Sequence, residues 1–321
     1  MKNMAILCSG GDVSGMNASL KRFVEYTISK GIQPYFVYDG YEGLIDGKIQ
    51  KVSYQNVAGI ITKGGTIIGS SRSKRFLNSK FRQQAISNLK EHNIDGVVIL
   101  GGDGSFRGMQ KLVDESDISF VGIPSTIDND IYATEYCLGV DTALNIIKNA
   151  IDSIRDTASS FKRAFVIETM GRECGYLALI SALTSGAEMC LIPEIEYDLS
   201  SYKKRFLEQK QNGRTYFIAI VSEALNNTEE IRKWFEDEIG IEARATILGH
   251  IQRGGNPTVY DRLMAFRFVT HAIDKLLSNQ TQSSVVCYSD KGFSYHSIDE
   301  VVSHTYHINQ ELLSLGMEYG V

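Results

Sequence analysis

One stretch limits what this chain can fold into. Asp95-Gly-Val-Val-Ile-Leu100 runs straight into Gly101-Gly-Asp-Gly-Ser105, and past a second apolar run the chain reads Thr126-Ile-Asp-Asn-Asp130. A short continuous apolar run that stops at a glycine turn predicts a buried parallel strand opening into a helix. Gly101, Gly102 and Gly104 lack a Cβ, so the backbone there can approach a ligand closely. The helix predicted to begin near Ser105 would turn its first N–H groups, and the positive end of its dipole, toward an anion. Asp103 in the same turn would repel a bare phosphate, and a divalent cation between the two resolves the conflict. Joined to the acidic loop after the next strand, the turn predicts a phosphoryl-transfer site.

The same punctuation recurs along the chain. Met4 to Cys8 is expected to be a strand, followed by Ser9-Gly-Gly-Asp-Val-Ser-Gly15. The next helix carries Met16, Leu20, Phe23, Val24 and Ile28 on one face and stops at Gly31. This turn is either a second phosphate cradle or simply a tight strand-to-helix connection. Pro34 to Tyr38 is a strand ending at Asp39-Gly40, Gly64 to Arg72 a glycine- and serine-rich loop, and Ser79 to Asn93 a helix with Phe81, Ala85, Ile86 and Leu89 inward. After the Asp95 strand and a helix to about Asp114, Ser119 to Ile123 is the strand feeding Pro124-Ser125 and the acidic loop.

A long helix from Gly139 to Ser160 then bridges to a second alternating series. Strands are expected at Arg163 to Glu168, Glu188 to Ile192, Tyr216 to Ser222, Arg244 to Gly249 and Val285 to Tyr288. Between them fall helices at Tyr176 to Ser185, Leu199 to Lys210, around Trp234, and from Pro257 to about Leu277. Strands alternating with helices predict an α/β fold built as two doubly wound units. A chain of 321 residues is long enough for two such cores.

Lys+Arg 33 against Asp+Glu 38 leaves a net charge of -5 with no block of like charge, which argues against nucleic acid as a partner. The five cysteines (8, 137, 174, 190, 287) are scattered, without metal-ligand spacing, as in a reduced cytosolic protein. No signal-peptide pattern and no apolar run near the ~18 residues that span a bilayer is present, so a soluble, cytoplasmic protein without a membrane partner is expected.

In doubly wound sheets, ligands sit beyond the C-terminal ends of parallel strands. Asp103, Asp128, Asp130, Arg172, Glu223, His250 and Arg253 each follow a predicted strand. Phosphoryl transfer needs a metal, cations for the transferred oxygens, a base for the attacking hydroxyl, and alignment. Asp103 can supply the metal site, Arg72 and Arg172 the positive charge, and Asp128 or Asp130 the base. Arg163, Arg244, His250 and Arg253 form a basic set suited to a second phosphate, on the acceptor.

With these motifs in hand, the chain resembles the ATP-dependent 6-phosphofructokinases of bacterial type over essentially its whole length. The resemblance rests on Ser9-Gly-Gly-Asp12 with Gly15-Met-Asn-Ala18, Gly65-Thr66 with Gly69-Ser70 and Arg72, and Gly101-Gly-Asp-Gly-Ser105. It continues through Thr126-Ile-Asp-Asn-Asp130, Met170-Gly-Arg172 and Leu248-Gly-His-Ile-Gln-Arg-Gly-Gly255. It implies two Rossmann-like three-layer domains with the active site in the cleft between them. An ATP-binding domain would take residues 1–138 plus about 256–304, and a fructose 6-phosphate-binding domain residues 139–255 plus about 305–321. It implies that Gly11, Arg72, Ser73 and Gly102 to Ser105 hold ATP, with Asp103 near Mg²⁺. Asp128 would be the general base for the sugar 1-hydroxyl, beside Thr126 and Asp130, with Gly11, Arg72 and Arg172 also at the reaction centre. Fructose 6-phosphate would meet Thr126, Ile127, Asp128, Met170, Gly171, Arg172, Glu223, His250, Ile251, Gln252 and Arg253. Arg163 and Arg244 would come from a neighbouring subunit of a homotetramer.

Donor choice follows from size and charge. Pyrophosphate-using relatives carry Asp in the place of Gly104 and Lys in the place of Ser125, and an Asp there would crowd and repel a nucleotide α-phosphate. Gly104 therefore favours ATP, while Ser125 departs from the Gly usual in ATP-dependent members. In the family's effector site, Lys21, Arg155 and Arg214 match the basic pattern and Glu188 the metal-contacting acid. Glu25, Tyr54 and Asn212 replace basic side chains, so weak or absent response to ADP and phosphoenolpyruvate is expected. The alternatives are a pyrophosphate-dependent enzyme and a non-catalytic regulatory paralogue. NAD kinases and lipid kinases share the Gly-Gly-Asp-Gly turn but lack the Thr126 and His250 segments.

Overall fold

The structure, a computed structural model, describes residues 1–278 and 283–318. Residues 279–282 and 319–321, which fall within the expected domain spans, lie outside the described residues. The described residues form two compact units: those within 1–142 and 253–306, and those within 143–252 and 307–318. Expectation had put the changeovers after 138, near 256 and near 305.

The first unit is built on a seven-stranded sheet of order β11-β10-β5-β4-β1-β2-β3. Its strands are β1 (Asn3–Cys8), β2 (Gln33–Val37), β3 (Ile49–Lys51), β4 (Gly96–Gly101), β5 (Ser119–Pro124), β10 (Ser284–Ser289) and β11 (Gly292–Ser297). The inner strands are parallel, whereas β3 and β11 run antiparallel at the two edges. All six residues of β4 are buried, as its uninterrupted apolar run requires, so both sheet faces are covered. The covering helices are α1 (Met16–Ser29), α2 (Gly40–Ile45), α3 (Ser79–Glu91), α4 (Asp103–Glu115), α9 (Val259–Leu277) and α10 (Ile298–Ser303).

The second unit has a wholly parallel four-stranded sheet, β7-β8-β6-β9. Its strands are β6 (Ala164–Thr169), β7 (Met189–Leu191), β8 (Phe217–Ser222) and β9 (Ala243–Ile247); its helices are α6 (Tyr176–Ser185), α7 (Leu199–Gln211), α8 (Thr228–Trp234) and α11 (Gln310–Glu318). Phe206, Phe217 and Phe235 stack in its core with Trp234 edge-on to Phe206, ring centroids 4.7 to 6.2 Å apart. The long helix α5 (Val140–Phe161) begins in the first unit and continues into the second.

Three details differ from the sequence reading. Helix α4 starts at Asp103, two residues before the expected start at Ser105, with Gly102 as its N-cap; Asp is favoured in a first helical turn, where its charge meets the dipole. Phe81 is only half-buried, and Arg82 takes the inward position beside Ala85, Ile86 and Leu89. Arg82 is accommodated because its guanidinium donates to Glu115 (2.9 and 2.6 Å) and to the carbonyls of Phe76 and Leu77. Helices α2, α10 and α11 and the edge strands β3 and β11 were not anticipated; α2 and α10 have six residues each and β3 three, too few for a periodic signal.

Candidate active site

In the first unit, the loops at the C-terminal ends of the parallel strands β1 and β4 are tied to each other and to the Gly64–Arg72 loop. After β1, the Ser9 amide donates to the Leu100 carbonyl (2.9 Å), and the Ser105 hydroxyl donates to Ser9 Oγ (3.0 Å). The Ser70 hydroxyl donates to the Gly10 carbonyl (2.8 Å), which draws the Gly64–Arg72 loop onto the first turn. Asn17 holds the other end of that loop: its amide donates to the carbonyls of Lys63 (3.1 Å) and Gly64 (3.0 Å) and its Oδ1 accepts from the Ile67 amide (2.8 Å). Below these loops, Cys8 is buried, with its thiol pushed up to about 12 by desolvation. All five cysteines are buried, and none of them forms a disulfide.

Tyr41 of α2 closes this assembly from the side. Its hydroxyl donates to the Ser105 carbonyl (2.7 Å) and its ring stacks on Phe76 (4.1 Å). The Phe76 amide in turn donates to Ser73 Oγ (3.1 Å), so the segment carrying Arg72 and Ser73 is fastened to the start of α4. Arg72 itself is exposed. Asn17 and Tyr41 hold these loops in place, and the sequence reading gave neither a role. Asn17 lies inside a quoted motif, Gly15-Met-Asn-Ala18, but its partners are about 50 residues away along the chain.

Two glycines at the start of α4, its N-cap Gly102 and Gly104, are not required by the chain's own packing. A Cβ on Gly104 would meet nothing within 4 Å, and one on Gly102 would make ordinary contact with Thr126 at 3.6 Å. Glycine within a helix costs about 1 kcal/mol relative to alanine, so at Gly104 open space is kept beside the first turn of α4. Gly101 is different, since a Cβ there would lie 2.5 Å from Ser105. Asp103 is half-buried and accepts from Arg107 Nε one turn on (2.9 Å). Among the described residues no group of three or more His, Cys, Asp or Glu could hold a metal on its own. One accessible carboxylate beside an open, N–H-lined space fits Mg²⁺, which keeps several waters and takes one or two protein carboxylates together with phosphate oxygens.

The acidic loop lies against this turn, with the Ser125 amide donating to the Gly101 carbonyl (2.9 Å). Ser125 is buried and its hydroxyl donates back to Ile123 (3.0 Å), so the serine that departs from the family's glycine is satisfied by its own backbone. Asp128 is fully buried, and its Oδ2 accepts from the Thr126 hydroxyl (3.0 Å), while its own amide donates to Thr126 Oγ1 (3.2 Å). Asp130 is half-buried. Ile127, expected to meet the sugar, is fully buried, backbone included, so it presents no surface to a ligand. Arg253 falls in the first unit: its Nη1 donates to the Asp12 carbonyl (3.3 Å), and a Cβ on Gly11 would collide with its guanidinium.

In the second unit, the turn after β6 is shaped by two strand-end residues. Gly171 (φ 144°) and Arg172 (φ 52°) both sit at positive φ. Their amides donate to Glu223 Oε1 (3.1 and 2.8 Å), and the Met170 amide donates to Gln252 Oε1 (3.1 Å). Glu223 and buried Gln252 thus hold an energetically unfavourable turn in one shape, with Arg172, His250 and Ile251 exposed. Arg163 and Arg244 are brought together by Glu242, which accepts from Arg163 Nε (2.7 Å) and from Arg244 Nη2.

The effector-type residues are engaged by the chain itself. In the first unit, Lys21 Nζ lies 2.5 Å from Glu25 on the same face of α1, and Tyr54 is exposed. In the second, Arg214 pairs with Glu188, whose other oxygen accepts from the Ile218 amide (2.7 Å). Arg155 donates to the Ser185 carbonyl (2.6 Å), and its hydrogen bond to Tyr216 holds that phenol below its usual range. Among the described residues no helix is long and apolar enough to cross a membrane.

The phosphofructokinase family model matches residues 3–276. The chain is 68% identical over 320 residues, 99% of its length and 98% of the relative's, to the ATP-dependent 6-phosphofructokinase of a Sulfurovum species. It is 64% identical over 315 residues, covering 98% of both chains, to the enzyme of that name from Sulfurimonas denitrificans. Among solved structures, Pichia pastoris phosphofructokinase in the T-state superposes with a TM-score of 0.89 at 32% identity, over 99% of this chain; this chain spans only 37% of that one's length. By its sequence and by the fold of both units, this chain belongs to the phosphofructokinase family.

Proposed function

We propose that this chain is a glycolytic enzyme of the cytoplasm, which transfers the γ-phosphoryl group of ATP to the 1-hydroxyl of fructose 6-phosphate and releases fructose 1,6-bisphosphate and ADP. The observation that carries the reading is the contact between two loops of one unit. The open, N–H-lined start of α4 with Asp103 lies against the loop that buries Asp128 on the Thr126 hydroxyl. The relatives carrying the name ATP-dependent 6-phosphofructokinase supply the choice of donor and acceptor.

In this reading the α4 amides, Gly11, Arg72 and the Ser73 segment cradle the nucleotide phosphates. Asp103, with the phosphates, would hold Mg²⁺, which would supply positive charge against the donor's anionic oxygens. Asp128 accepts the proton of the sugar 1-hydroxyl as the oxygen attacks phosphorus in line, with Thr126 orienting the carboxylate and Asp130 beside it. Arg72 and Arg172 balance charge on the transferred group. Met170 to Arg172, Glu223, His250 to Gln252 and Arg253 hold the sugar phosphate. Arg163 and Arg244 serve the 6-phosphate of a neighbouring subunit's site in a homotetramer, with Glu242 keeping the two guanidinium groups together in the meantime.

A coupled assay with fructose 6-phosphate and Mg²⁺, offering ATP and pyrophosphate separately, tests the reading. Turnover with ATP alone is the expected result. Turnover with pyrophosphate would overturn the donor assignment, and silence with both would overturn the activity. Arg163→Ala is expected to raise the KM for fructose 6-phosphate by about tenfold or more, the scale of a lost charge-assisted phosphate contact, with the KM for ATP unchanged. An equal effect on both substrates would contradict the phosphate clamp. The Lys21–Glu25 and Arg214–Glu188 pairs leave little uncompensated positive charge for an anionic effector. Fructose 6-phosphate saturation curves are therefore expected to stay hyperbolic when phosphoenolpyruvate is added. Strong sigmoidicity at sub-millimolar phosphoenolpyruvate would refute this.

A further inference from the structure

Between the two acidic residues of the catalytic loop stands Asn129, fully buried and at φ 53°. A non-glycine residue in the left-handed region is uncommon, and Asn is among those that tolerate it best. Its side chain is used at both ends. Nδ2 donates to the Glu135 carbonyl (3.0 Å) and Oδ1 accepts from the Cys137 amide (2.9 Å). The pair acts as a strand-like bridge, locking the loop onto residues 135–137.

That segment is itself held from three directions. The Glu135 amide donates to the Tyr288 carbonyl at the end of β10 (2.8 Å), and the Leu138 amide to the Pro124 carbonyl at the end of β5 (2.9 Å). Thr134 Oγ1 accepts from the Tyr288 amide (3.1 Å). From α9 comes Asp261, a carboxylate with no exposed surface and four donors: the Tyr136 hydroxyl (2.5 Å), the Gly139 amide (2.7 Å), and the Thr142 amide (2.8 Å) and hydroxyl (2.5 Å). A buried carboxylate is costly unless it is fully hydrogen-bonded, and its donors come from the segment behind the catalytic loop and the start of α5.

We infer that Asn129 and Asp261 are positioning residues for Asp128: Asp261 fixes residues 136–142, and Asn129 transmits that fixed frame to the acidic loop. The inference rests on the proposed role of Asp128 as base. The geometry behind it is that Asp128 and Asp130 flank a residue whose backbone and side chain are both fully constrained. A loop displaced by about 1 Å loses up to a hundredfold in rate while binding survives, because alignment acts on the chemical step.

The test compares Asn129→Gly, Tyr136→Phe and, as a control, Asp128→Asn in the full-length enzyme. Steady-state kinetics, ATP-binding stoichiometry and thermal unfolding are measured for each. Asn129→Gly keeps the left-handed backbone accessible and removes both side-chain bonds. It is expected to lower kcat by about 10- to 100-fold, with unchanged KM for ATP, one ATP bound per chain and a displaced acid limb in the pH profile of kcat. Tyr136→Phe removes one hydroxyl and keeps the ring, so it serves as the milder probe should the glycine variant fail to fold; a several-fold drop in kcat alone is expected. Loss of kcat in step with loss of ATP-binding stoichiometry would overturn the inference in favour of a merely structural role. So would wild-type kcat in both variants while the control is inactive. A control that turns over normally would instead remove Asp128 from its role as base.

Discussion

Asp128→Asn is expected to lower kcat by about 10²–10⁴, the usual contribution of a general base, while ATP binds as before. The amide has the shape of the carboxylate, and its oxygen can still accept from the Thr126 hydroxyl, a 3.0 Å bond in the native site. Packing around this fully buried side chain is therefore preserved. What disappears is the ability to take a proton, and that matters only as the sugar oxygen attacks. The effect should fall on kcat and kcat/KM together, with the dissociation constant for ATP, measured by calorimetry, unchanged. Near-normal turnover would assign the proton to another group.

The second large effect is expected from Gly104→Asp. A Cβ here meets no protein atom within 4 Å, and the position lies in the first turn of α4, where Asp is a favourable helix residue. The fold should consequently tolerate the change, with the unfolding temperature held or slightly raised. The nucleotide should not. A carboxylate about 4 Å from a phosphate oxygen costs about 4 kcal/mol at the effective dielectric of a protein surface. That is two to three powers of ten in ATP affinity at about 1.4 kcal/mol per tenfold. The KM for ATP should rise accordingly, with the KM for fructose 6-phosphate little affected. An unchanged KM for ATP would show that the space before Gly104 is not where the nucleotide phosphates lie. Detectable pyrophosphate turnover in this variant would mean that one side chain is enough to change the donor.

Much of this molecule could be read along the chain because its information there is local. β4 was visible as an apolar run ending in glycine, and α6 as a periodic segment between Gly175 and Gly186; both occur where expected. The acidic loop was legible as a loop since Thr126, Asp128 and Asp130 crowd into five residues after a strand. By contrast, α2 has only six residues, too few for a periodic signal, yet its Tyr41 fastens the Ser73 segment to the start of α4. Nothing in the composition of α9 marks Asp261 off from its exposed Asp274, because its burial depends on donors at 136, 139 and 142. Arg163 and Arg244 could be named as a basic pair, but the Glu242 that joins them has no signature of its own.

The sequence by itself determined which residues can do chemistry: a glycine turn with one carboxylate, an acidic loop after the next strand, and arginines at strand ends. These are read from residue type and order, since a missing Cβ, a charge or an alternation of period needs no partner to be recognised. Only the tertiary structure decided how those residues are held. Asn129 bonds across a handful of residues, Asn17 across about fifty, and Asp261 across more than a hundred. Such contacts exist only once sheet order brings β10, β5, β4 and β1 side by side and seats α9 on β5. Sheet order is a property of pairings between distant segments, and no window of sequence contains it.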